Sequence, residues 1–87
     1  MNPSSKKGNS PERWEKLLAF LDEKLQLGLL DQLQKIKSYH FEAEILYIVP
    51  DDTNVDYFAR PEMLQQLELL AQDAVQVERV KVKKEED

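Results

Sequence analysis

The stretch "SYHFEAEILYIVP", residues 38–50, decides how this chain is read. Its side chains are β-branched or aromatic, and the run is too short for a long helix. It reads as two strands, about Ser38–Glu42 and Ile45–Val49, joined near Glu42-Ala43-Glu44. No Asn-Gly or Asp-Gly marks the turn, so one long bent strand is the competing reading. Pro50, which has no backbone N–H to donate to a ladder, ends the second strand.

Upstream, the apolar period is helical. Ser10-Pro11-Glu12 is a helix start: Ser can cap free N–H groups, and Pro suits the first helical position. Trp14, Leu17, Leu18, Leu21 and Leu25 then follow at i, i+3, i+4, i+7 and i+11 along one face. Gly28 is expected to punctuate this helix, because Gly accepts the left-handed conformation found at helix ends. Leu29 or Leu30, Leu33 and Ile36 mark a second, shorter helix.

Downstream, "DDTN" at 51–54 is turn chemistry followed by a helix cap. Val55-Asp56-Tyr57-Phe58 suits one helical turn. Arg60-Pro61-Glu62 opens a long helix whose buried face is Leu64, Leu67, Leu70 or Ala71, and Ala74. "VERVKVK" then alternates, with Val80 and Val82 on one face and Arg79, Lys81 and Lys83 on the other. Val75 and Val77 are out of phase with this strand, so a bend or helix end falls between. The order is α-α-β-β-(α)-α-β. It predicts an α+β fold, a three-stranded sheet with helices packed on one face, in which the last helix crosses back to the third strand.

Eighty-seven residues make one small domain with a marginal core. Residues 1–9 read as a flexible polar tail or linker, 10–83 as the folded unit and 84–87 as a charged disordered end. The absence of cysteine excludes disulfides and points to the reducing cytoplasm. No apolar run approaches the roughly 20 residues that span a bilayer, and "MNPSSKKGNS" has no secretory apolar core. A net charge of −5 disfavours broad nucleic-acid binding but leaves room for a local basic strip.

Little in the chain announces catalysis. His40 is the single histidine, and a zinc site needs three or four ligands. Asp51, Asp52, Asn54 and Asp56 do not keep the calcium-loop spacing. With only Gly8 and Gly28, a Gly-rich phosphate loop is excluded, as is the GXXG loop of true KH domains. The expectation is a non-enzymatic chain without cofactor or metal. Trp14 reads first as core and second as interface. Tyr57 and Phe58 read first as lids beside the sheet and second as anchors. Arg79, Lys81 and Lys83 read first as edge protection and second as a contact for an acidic partner or nucleic acid.

The element order and several stretches resemble small domains of KH type II topology from bacterial replication proteins. "RWEKLLAFLDEKL", "FEAEILYIVP", "VDYF", "PEMLQQLELLAQDA" and "VQVERVKVK" carry this resemblance over about Pro11 to Lys83. The closing strand after a leucine-rich helix looks like the C-terminal domain of the tau subunit of DNA polymerase III. "ILYIVP" with "VDYF" is also similar to the N-terminal domain of the initiator DnaA. That domain carries a Trp-x-x-Pro element after its second helix, where this chain has "LQKIKSYHFE". The tau resemblance implies a domain that tethers the polymerase's catalytic subunit to the clamp loader. The DnaA resemblance implies self-association, with Trp14 matching its helix-1 Trp, and contact with the replicative helicase. A single-stranded nucleic-acid-binding module is a further alternative. The candidate partner-contact residues are Trp14, Tyr57, Phe58, Arg79, Lys81 and Lys83.

Overall fold

The first helix, α1 (Pro11–Glu23), begins where its sequence pattern does. The computed structural model describes residues 8–83, so the expected charged end at 84–87 and most of the expected tail lie outside the described residues. After α1 come α2 (Leu27–Gln34), β1 (Ser38–Glu42), β2 (Ile45–Val49), α3 (Val55–Ala59), α4 (Pro61–Val75) and β3 (Arg79–Val82). The chain is thus a small α+β domain.

Residues 38–49 form a hairpin rather than one bent strand. Glu42 pairs with Ile45, leaving a two-residue loop of Ala43 and Glu44. Ala43 takes a positive φ of 56°, where Gly or Asn normally sits because a Cβ is crowded there. The turn therefore lacks its usual sequence mark. Strand β2 is central, antiparallel to β1 and parallel to β3. The parallel pairing follows from the return path through α3 and α4, since parallel neighbours need a crossover.

One sheet face is buried by the helices. Tyr39, Phe41, Leu46, Ile48 and Val80 point into it. They meet Trp14, Leu17 and Leu21 of α1, Leu29 and Leu33 of α2, Phe58 of α3, and Leu67, Ala71 and Ala74 of α4. The other face carries His40, Glu42, Arg79 and Lys81, all exposed, with Ile45, Tyr47 and Val49 half-buried. The period of two along each strand produces this division.

Both outer strands have edge groups engaged by side chains. Asn9 spans the backbone of β1 at Phe41: its Oδ1 accepts from Phe41 N–H at 2.7 Å, and its Nδ2 donates to Phe41 C=O at 2.6 Å. An amide side chain thereby occupies the place of a neighbouring strand, and a residue assigned by composition to the tail joins the sheet. At the opposite edge, Glu68 of α4 accepts from Val80 N–H at 3.0 Å. Asn9 thereby blocks the β1 edge against pairing with other chains, whereas on β3 only the Val80 N–H is taken. The same N-terminal corner is further tied down. Trp14 stacks on Tyr39 with centroids 4.3 Å apart and planes within 4°. Arg13 lies 4.4 Å over the Phe41 ring and donates to the Val75 carbonyl at 3.2 Å, at the end of α4 where a cation is favoured.

Several local expectations are corrected. Gly28 does not end the first helix; it lies inside α2. Leu25 takes the left-handed position instead, with φ 60°. Gln26 N–H reaches Leu21 C=O at 2.9 Å and Leu25 N–H reaches Asp22 C=O at 3.0 Å, the paired bonds of a Schellman ending. Leu25 is consequently 77% exposed and drops out of the buried stripe. Ser10 does stand at the N-cap, but its hydroxyl makes no cap bond; its carbonyl accepts from Arg13 and Trp14 N–H. Asn54 does not cap α3 with its side chain either. It turns inward, accepting from Asp51 N–H at 2.9 Å and donating to Gln32 C=O at 2.9 Å, so that a buried amide joins the 50–54 loop to α2.

Two substitutions check this reading by thermal and urea unfolding. A Cβ at Gly28 would meet nothing within 4 Å, so Gly28→Ala should stabilise by about 0.5–1 kcal/mol through helix propensity. If Gly28 instead ended a helix in a left-handed conformation, the change would destabilise. A Cβ at Gly8 would sit 2.5 Å from the Tyr39 ring, which Trp14 already holds. Gly8→Ala should destabilise by about 1–3 kcal/mol, the usual cost of overpacking; an unchanged midpoint would mean that Gly8 does not rest on Tyr39.

Candidate functional site

The six candidate contact residues fall into three classes of exposure. Trp14 and Phe58 are buried, held by the tertiary contacts of α1 and α3. Trp14 lines neither of the two concavities beside β3, whereas Phe58 forms part of the floor of one. Tyr57 is half-buried and meets Phe58 edge to face at 5.1 Å. Arg79, Lys81 and Lys83 are exposed. Arg79 and Lys81 share the outer sheet face with Tyr47, opposite Lys81 in the ladder. Lys83 lies just past β3, and its Nζ is 5.3 Å from the centroid of Tyr47. His40 on β1 completes this face, 6.2 Å from the Tyr47 ring and 3.2 Å from the Glu42 carboxylate.

A groove of about 680 Å³ lies between α3 and the ends of β2 and β3, bounded by Lys37 and Pro50 on one side and by Val80 to Lys83 on the other. That volume is in the range of ligand-accepting clefts, roughly 300–1,000 Å³. Pro50, Val55, Phe58, Leu64 and Val82 give it apolar walls; Lys37, Lys81 and Lys83 line it with basic groups, and Asp52 is the one acidic residue of its lining. A second depression of about 370 Å³ lies between Leu64, Glu68, Arg79 and Val80. The two share Leu64, Val80 and Lys81, so the concave surface follows the length of β3.

Each wall has a local cause. Asn54 fixes the 50–54 loop and so sets Val55 at the start of α3, where it is 43% exposed. The brevity of α3 leaves a gap between it and β3. The residues that sequence reasoning overlooked are Val55, Leu64 and Val82. Leu64 and Val82 match the core pattern, and period alone does not reveal that they stand at its open margin.

Among the described residues, three titratable groups are perturbed. Glu44 in the hairpin turn is raised, first by a hydrogen bond with the Glu78 carboxyl and then by its charge. The two carboxyls are brought together because Glu44 C=O accepts from both Glu78 and Arg79 N–H as β3 begins. Asp51 is lowered, chiefly because its carboxylate accepts from Thr53 N–H at 3.0 Å and from Thr53 Oγ1 at 2.8 Å. The Tyr39 phenol is raised by burial and then by Glu15 and Glu12. These shifts belong to a turn, a strand junction and the core, and none lies on a group that faces another across the groove. Among the described residues, no three His, Asp or Glu side chains gather to hold a cation, and no helix is long and apolar enough to cross a membrane.

No protein-family model matches the chain, and neither a curated protein nor a solved structure shows significant similarity to it.

The Glu44–Glu78 pair gives a pH test. A carboxyl raised in the folded state contributes stability below its unfolded pKa that is lost as pH rises through the folded value. Once Glu44 ionises, the hydrogen bond with the Glu78 carboxyl is lost and its charge is disfavoured there. Glu78→Gln should therefore raise the unfolding midpoint at pH 7, and the gain should fade as the pH falls through the glutamate range. A gain independent of pH would locate its origin elsewhere.

Proposed function

We propose that this chain is a non-catalytic protein-docking domain, and that its partner surface is the groove beside β3. The observation that supports this reading is an apolar concavity with a basic rim on a domain whose net charge is −5. Apolar walls supply affinity, and charge of one sign selects the partner and speeds encounter. The resemblance to the tau C-terminal domain gives the specific form of the proposal: a tether for the catalytic subunit of a bacterial replicative polymerase. The order of two helices, a hairpin, a helical crossover and a parallel third strand supports that form. The initiator-type alternative, with the replicative helicase as partner, draws less support, because the Trp14 ring it would use for self-association is 4% exposed.

A second reading has one observation in its favour. Tyr47 stands on the open sheet face beside His40, Lys81 and Lys83, and an aromatic ring flanked by lysines can stack a base. Glu42 and Glu44 at the same end of the hairpin oppose a polyanion. Binding of a single-stranded oligonucleotide that weakens steeply with salt would favour this reading over docking.

The test of the docking proposal is a titration of the isotope-labelled chain with the polymerase catalytic subunit, followed by amide NMR. Amides of Val55, Leu64, Lys81 and Val82 should shift or broaden selectively. An unchanged spectrum at concentrations well above micromolar, with the helicase also without effect, would overturn it.

A further inference from the structure

The exposed edge of β3 has a defined hydrogen-bonding phase. Arg79 N–H and Lys83 N–H point to β2, at Glu44 C=O and Ile48 C=O. In a parallel ladder the N–H and C=O of a residue face the same side, and alternate residues face opposite sides. Val80 and Val82 therefore turn their backbone groups outward. Glu68 takes the Val80 N–H. By this phase the Val80 carbonyl and both backbone groups of Val82 lie on the open edge, and both residues line the 680 Å³ groove. No strand follows β3 in the sheet among the described residues.

A strand laid against this edge would inherit the two-sided environment of β3. Side chains on one of its faces would enter the apolar space bounded by Val55, Phe58 and Leu64. Side chains on the other would stand on the outer sheet face beside Arg79, Lys81 and Lys83. A second copy of β3 brings like charges together there and is disfavoured. We infer that the groove takes an extended partner segment whose residues alternate apolar and acidic, added as a fourth strand through Val80 and Val82. Charge complementarity selects this occupant: the chain is acidic overall, yet the cross-strand positions available to the added strand are basic. Main-chain bonds then supply register, and the alternate side chains supply specificity. The inference rests on the docking reading and names the chemistry of its partner.

The test uses the whole 87-residue chain and three synthetic heptapeptides. One alternates Glu with Val or Ile. One has the same composition in blocks. One replaces each Glu with Lys. The alternating peptide should shift the amides around Lys81–Lys83 and slow hydrogen exchange at Val82, and added salt should weaken it. Blocks or lysines should bind at least about fivefold more weakly, as should Lys81→Glu, in line with losing a well-placed charge contact of about 1 kcal/mol. Val82→Pro removes the outward donor while leaving the bonds from Arg79 and Lys83 to β2. It should abolish binding, with its unfolding midpoint measured alongside. The inference is overturned if the three peptides bind alike, if binding maps away from β3, if a folded Val82→Pro chain binds normally, or if a single-stranded oligonucleotide shifts the same amides at lower concentration. Failure here with a positive polymerase titration would discard only the added strand; the docking reading stands or falls on that titration.

Discussion

Strand β2 carries the constraint from which the rest of the structure follows. It must satisfy backbone groups on both sides and bury one face at the same time, because Leu46 and Ile48 have no exposure at all. The antiparallel partner is reached within two residues, at the expense of a left-handed Ala43. The parallel partner requires the path through α3 and α4. That path places Phe58 and Leu67 over the inner face and brings Val80 beside Leu46. Helices α1 and α2 then close the remaining apolar surface.

A three-stranded sheet built this way has two edges, and they are treated differently. At β1 the Asn9 amide reproduces both bonds of a strand neighbour, and the corner is locked by Trp14, Tyr39 and Arg13. At β3 a single carboxylate occupies one N–H, and the helices stand back to leave a groove. One edge is closed by short-range chemistry; the other is left accessible, with cations beside it. This asymmetry is the observation behind the proposal of a partner at β3. It also explains why Trp14, which sequence spacing offers both to the core and to an interface, belongs to the core: its ring is already stacked within the closed corner.

Much of the fold was legible because long apolar periods decide burial. The α1 stripe from Trp14 to Leu21, the Leu67 and Ala71 face of α4, and the alternation of Arg79, Val80 and Lys81 all survive in the structure. The misread positions are places where backbone conformation runs against residue type. Leu25 adopts positive φ without being Gly or Asn, so the usual helix-end signal was missing there, while Gly28 gave a signal at a place that did not need it; the turn at Ala43 and the helix end at Gln76 fell where the pattern placed them despite the same mismatch. Asn9 and Asn54 were read as linker and cap. Their amides bond to Phe41 and Gln32, 32 and 22 residues away, partners that no local pattern contains.

By itself, then, the sequence determined the element types, their order and the faces that could be buried, since these depend on the side-chain period and on Pro placement within a few residues. It also determined that Arg79 and Lys81 share a strand face. Only the tertiary structure decided which apolar residues end at an open margin, which edge of the sheet is closed and where the basic strip meets a concave surface. Those properties depend on the gap between α3 and β3, elements with 19 residues between them, and on long-range hydrogen bonds that form only once the layers are packed.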